Sequence, residues 1–85
     1  MKRRVLKWPI PIDDQWHEIP DLIGDWHIGQ QFEESVTVWA EVWEGKPDRM
    51  IRVRVFGTGH EFEGRYLGTV QAAHGLVWHL VQAES

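Results

Sequence analysis

Ser35-Val36-Thr37-Val38-Trp39-Ala40-Glu41-Val42-Trp43 is the stretch that decides the fold class. Val36, Val38, Ala40 and Val42 fall on one side of an extended chain, and Thr37, Trp39, Glu41 and Trp43 fall on the other. A period of two carried by β-branched and aromatic residues marks a strand with one face against a core. No segment of the chain sustains a helical period instead.

Downstream, Met50–Phe56 alternates in the same way, with Ile51, Val53 and Val55 on one face and Arg52, Arg54 and Phe56 on the other. If Glu44–Arg49, with Gly45 and Pro47, is a hairpin loop, Trp43 stands opposite Met50. Val42 then meets Ile51, Ala40 meets Val53 and Val38 meets Val55, while Glu41 faces Arg52 and Trp39 faces Arg54. A slip of one residue would put arginine beside valine on both faces, so this is the expected register.

Further strands are expected at Val5–Pro9, Gln15–Ile19, Trp26–Phe32, Arg65–Ala73 and Leu76–Ala83. Between them lie turns at Asp13-Asp14 and Glu33-Glu34, a loop over Asp21–Asp25, a break at Gly57-Thr58-Gly59 and a tight turn around His74-Gly75. That turn is either two residues long or carries Gly75 in the left-handed region after a three-residue turn. Prolines 9, 11 and 20 confine the early strands to edges or ends. The last strand is apolar on both faces, so it is central or meets a partner. About seven short, mostly antiparallel strands predict an all-β sandwich or partly open barrel.

Eighty-five residues predict a single domain over 1–85. A chain this short buries only roughly 60–65% of its unfolded surface. With no cysteine, disulfides and thiolate metal sites are excluded. Oligomerisation or an aromatic core is left to stabilise it, and a homodimer or larger closed assembly is expected. The six tryptophans are too many all to fit inside so small a domain. A net charge of −4 argues against general nucleic-acid binding. The basic start Lys2-Arg3-Arg4 is followed by no apolar run, and no stretch approaches the ~20 apolar residues of a membrane helix. A cytoplasmic protein is expected.

Little of this resembles a catalyst. His17, His27, His60, His74 and His79 show no HxH or HExxH spacing, so no metal site is expected. Ser35 and Ser85 are the only serines, and neither lies in a glycine-rich elbow. The carboxylate pairs Asp13/Asp14 and Glu61/Glu63 read as turns and solvated faces. Trp-His recurs at 16–17, 26–27 and 78–79 without matching flanks, which reads as coincidence.

Two features remain as candidate contacts. Gly57-Thr58-Gly59-His60 follows a strand bearing Arg52 and Arg54, and it is either an anion cradle or a glycine bulge that bends the sheet. The segment lacks the lysine and following helix of a P-loop. Trp39 and Trp43, beside Arg52 and Arg54, form either an aromatic–guanidinium contact surface or a packing face. The candidate ligand-binding set is therefore Arg52, Arg54, Gly57, Thr58, Gly59, His60, Trp39 and Trp43. No cofactor is expected.

Val5-Leu6-Lys7-Trp8-Pro9-Ile10, Trp16-His17-Glu18-Ile19-Pro20, Val36-Thr37-Val38-Trp39-Ala40, Arg54-Val55-Phe56-Gly57-Thr58-Gly59-His60, Tyr66-Leu67-Gly68-Thr69-Val70 and Val77-Trp78-His79-Leu80 together carry a resemblance. The chain resembles a family of small uncharacterised proteins of actinobacterial viruses and prophages, with Phe56–His60 its most specific element. The chain departs from the pattern after His60, where Glu61-Phe62-Glu63-Gly64 stands in place of a longer, proline-led loop. The resemblance brings no functional residues with it. It implies a non-enzymatic binding protein, a host-defence antagonist capturing a nucleotide-like anionic ligand. The alternatives are an inhibitor or adaptor that binds a host protein through the Trp/Arg face, or a structural virion component.

Overall fold

The computed structural model describes residues 3–32, 34–43 and 49–84, the side chains of 23, 42, 43 and 73 excepted. The expected loop over Glu44–Arg49 and turn at Glu33-Glu34 lie outside these residues, save for Arg49 and Glu34. Seven strands are present: β1 Arg3–Pro11, β2 His17–Pro20, β3 Ile23–Gly29, β4 Ser35–Trp43, β5 Met50–Gly57, β6 Arg65–Gln71 and β7 Val77–Gln82. They form two antiparallel sheets, one of order β1-β4-β3 and one of order β2-β5-β7-β6. The all-β expectation holds, as an open sandwich rather than a closed barrel.

Each sheet turns an apolar face inward. Ile10, Val36, Val38 and Ala40 from the first sheet meet Ile19, Ile51, Val53, Val55, Val70 and Leu80 from the second, all at 5% exposure or less. Full burial of such side chains stabilises the fold by about 1.5–3 kcal/mol each. Trp8, Trp26 and Trp78 pack partly buried against this core, so three of the five tryptophans with described side chains serve it. Along one side the two sheets close on each other. The Trp26 indole N–H donates to the Leu67 carbonyl at 3.4 Å, and Gly68 leaves room for Ile28, whose Cδ1 would lie 2.6 Å from any Cβ placed there.

The expected β4–β5 hairpin is wrong. β4 pairs with β1 and β3, and Trp39 stands between Lys7 and His27 rather than against Arg54. β5 pairs with β2 and β7. The two alternating strands do present their valines to each other, but across the sandwich instead of side by side. An apolar period of two identifies the inward face and says nothing about which strand lies alongside.

The last hairpin forms as expected, between β6 and β7. Its loop is the three-residue form, with His74 (φ 63°) and Gly75 (φ 75°) both left-handed and the Ala72 N–H bonded to the Leu76 carbonyl at 2.7 Å. β7 is central, between β5 and β6, which accounts for its two apolar faces without a partner.

Candidate functional site

The outer face of the four-stranded sheet collects the chemistry. β5, β7 and β6 lie side by side, so Arg54, Val81 and Tyr66 form one row across the sheet, and Phe56, His79 and Thr69 form the next, on the far side of a register shift in β6 between Tyr66 and Gly68. The segment between β5 and β6 folds back over them. Phe62 stacks on Phe56 with ring centres 5.3 Å apart and reaches Tyr66 at 6.2 Å. That cover is why Phe56, on an outer face, is only 5% exposed, while Phe62 and Tyr66 remain 46% and 47% exposed.

Three contacts position this segment. Thr58 Oγ1 lies 2.8 Å from His79 Nε2. The His79 Nδ1 meets the Tyr66 and Thr69 hydroxyls at 3.0 and 3.1 Å. Gly64, at φ 125°, sits so close to β7 that a Cβ there would fall 2.2 Å from the Gln82 carbonyl oxygen. Only glycine combines that backbone with that approach.

The β1–β2 turn forms the other wall. Asp13 Oδ1 accepts from the Gln15 N–H at 3.0 Å and contacts His17 Nε2 at 2.9 Å. The His17 hydrogen bond, ahead of the Gln15 amide, holds the Asp13 carboxyl below its ordinary value of 3.8. The turn carries Asp14 and Trp16 toward β5. Asp14 pairs with Arg54, whose Nε donates to Oδ1 at 3.1 Å. The guanidinium carbons of Arg52 and Arg54 each lie 5.8 Å from the Trp16 ring, and Arg54 is also 5.4 Å from Phe56. Trp16, Arg54, His60, Glu61, Phe62 and Glu63 line an open groove of about 630 Å³.

The expected set is thus split. Arg54 and His60 share the groove, Gly57, Thr58 and Gly59 form its connecting turn, and Arg52 flanks Trp16. The partner indole is Trp16 and not Trp39. Trp39 lies on the outer face of the opposite sheet, where its ring covers Gly29. Trp43 has its backbone on that same sheet, opposite Arg3, and its side chain is outside the described residues. The aromatic–guanidinium surface therefore exists with a different tryptophan.

The 57–60 segment is a turn that ends β5, with Gly59 at φ 94°. The His60 N–H bonds back to the Gly57 carbonyl at 3.5 Å, so that amide faces the turn and not a ligand. The pairing of β5 with β7 also runs through Gly57 without a register shift, so the segment is no bulge either. Sequence reasoning missed Asp14, Trp16, Phe62, Tyr66 and His79. Phe62 had a legible signal, as a large aromatic between two glutamates in a glycine-bounded loop. The approach of Trp16 depends on β2 lying beside β5, which no local pattern encodes.

Among the described residues no cluster of histidine and carboxylate side chains could hold a metal ion. Among the described residues no helix is long and apolar enough to cross a membrane. The chain belongs to the family described as domain of unknown function DUF7352, whose model matches residues 1–85. No curated protein and no solved structure matches it.

Proposed function

We propose that the chain is a non-catalytic binding module whose outer four-stranded face docks a protein partner. The observation that carries this reading is the groove itself. Trp16 and Phe62, 37% and 46% exposed, line it with Arg54, and Tyr66, 47% exposed, adjoins Phe62, a composition typical of interface anchors. Glu61 and Glu63 line the same groove, so the complementary partner offers a basic residue beside apolar ones. Together with the resemblance to actinobacterial virus and prophage proteins, this favours a virus-encoded inhibitor or adaptor of a host protein, acting in the host cytoplasm.

The alternative is capture of a nucleotide-like anion, with Arg54 on phosphate and Trp16 stacking a base. It has less support. Arg54 is already paired with Asp14, and two further carboxylates line the groove, so an anion would meet net repulsion. The two readings separate in one experiment. Protein purified from its natural host cells is examined by native mass spectrometry, and tagged wild type, Arg54→Ala and Phe62→Ala are used as baits. A host protein retained by wild type and lost with Phe62→Ala supports docking. A retained mass of nucleotide size that Arg54→Ala abolishes overturns docking in favour of anion capture. Co-purification with intact particles instead of either assigns the chain to the virion.

A further inference from the structure

β1 lies at the edge of its sheet, and one hydrogen bond fixes which of its residues face outward. The Ile12 N–H donates to the Glu34 carbonyl at 3.0 Å, continuing the register in which Ile10, Trp8 and Leu6 oppose Val36, Val38 and Ala40. In an antiparallel ladder every second residue bonds to the neighbour. The even-numbered residues of β1 therefore bond to β4, and the odd-numbered ones turn their backbone groups to the open edge. Pro9 and Pro11 sit at outward positions, where a missing N–H costs nothing inside the monomer and denies a donor to an incoming strand.

The same device blunts β2. The Asp21 N–H bonds to the Arg49 carbonyl at 3.1 Å, which makes Ile19 and His17 the bonded positions and turns Pro20 outward. On the far side of the sandwich, the Trp26–Leu67 contact brings β3 and β6 against each other. Among the described residues, the stretch left open is Val5–Lys7. It is also apolar, with Val5 67% and Leu6 44% exposed.

We propose that this stretch pairs antiparallel with itself in a second copy, about a two-fold axis through Leu6. Outward residues must oppose outward residues, so three centres are available. Centring on Val5 sets Arg3 against Lys7 twice, and centring on Lys7 sets Lys7 against Lys7. Centring on Leu6 places Leu6 against Leu6, Val5 against the aliphatic stem of Lys7, Arg4 against the Trp8 ring and Arg3 against Pro9, with no like charges directly opposed. The basic residues nearby are already engaged, Arg3 with Glu41 at 2.9 Å and Lys7 with Gln31 at 2.8 Å. The two three-stranded sheets become one six-stranded sheet. The Trp16–Arg54 groove lies on the other sheet, so it stays open in both copies and the dimer presents it twice.

The test uses the full chain. Light scattering on a sizing column should give twice the 10.0 kDa chain mass. Val5→Pro adds one more proline at an outward position, so circular dichroism should stay native. The loss of two intermolecular bonds per dimer should raise the dissociation constant roughly thirtyfold. Leu6→Cys places the only cysteines of the dimer across the two-fold axis, at the ~4.5 Å Cα spacing of a non-bonded pair, which suits a disulfide. Mild oxidation should crosslink it far faster than Gln71→Cys. A monomer at every concentration, a dimer indifferent to Val5→Pro, or Leu6→Cys crosslinking no faster than Gln71→Cys overturns the proposal. A monomer that gains mass only with an acidic extended peptide assigns the edge to such a partner instead.

Discussion

Gly64→Ala should cost a large share of this protein's stability. A Cβ at residue 64 would stand 2.2 Å from the Gln82 carbonyl oxygen and 3.0 Å from Val81 Cγ1. The first contact is with backbone, which cannot rotate away. Strand β6 would have to withdraw from β7 where Arg65 pairs with Gln82. Backbone strain at φ 125° costs about 1–3 kcal/mol, and forcing the extra atom into packed surroundings costs about 1–3 more. The sum, roughly 2–6 kcal/mol, is a large share of the ~4–13 kcal/mol expected for a domain of this size. The control is Gly59→Ala, also at positive φ but with nothing within 4 Å of its added Cβ, so only the conformational cost of about 1–2 kcal/mol applies. Urea unfolding followed by tryptophan fluorescence measures both. Should Gly64→Ala fall within 1 kcal/mol of Gly59→Ala on that ~1 kcal/mol scale of single-site effects, the close seat of the Phe62 loop on β7 is wrong, and the groove it forms with it.

Three further outcomes are expected. Thr37 is fully buried, and its hydroxyl has no hydrogen-bond partner among the described residues, so Thr37→Val should raise the melting temperature, by roughly 1 kcal/mol of relieved desolvation; a fall would reveal a polar partner for that hydroxyl. Leu80→Ala, at a 0% exposed position, should cost about 2–5 kcal/mol in chemical denaturation, and Val38→Ala, also at 0%, should cost less by about 0.8 kcal/mol for the one carbon fewer it removes. Asp13 titrates below its ordinary 3.8 because of His17, so its contribution is present above that value and fades as pH falls through the lower folded one; Asp13→Asn should flatten that acid limb of the melting curve, and an unchanged limb would refute the assignment.

The core is legible in β4 and β5. Val36, Val38, Ala40, Ile51, Val53 and Val55 were assigned inward by alternation alone, and all are buried. The partners of those strands were not legible. The β4–β5 register satisfies charge and packing on paper, yet the two strands lie in different sheets. Arg54 could therefore be chosen as a contact residue from its strand and its outward face, but its indole neighbour could not.

The sequence by itself determined that the fold is all-β, which side of β4 and β5 faces the core, where proline and glycine interrupt the chain, and that no cysteine chemistry is available. These are local properties, fixed by the two-residue period and by the backbone limits of single residues. The tertiary structure alone decided that Trp16 and not Trp39 joins the arginines, that Phe62 closes over Phe56, and that Val5–Lys7 is left as an open edge. Each of those depends on which strands lie side by side. That choice is made by the packing of two sheets over one core, to which every strand contributes the same kind of apolar face.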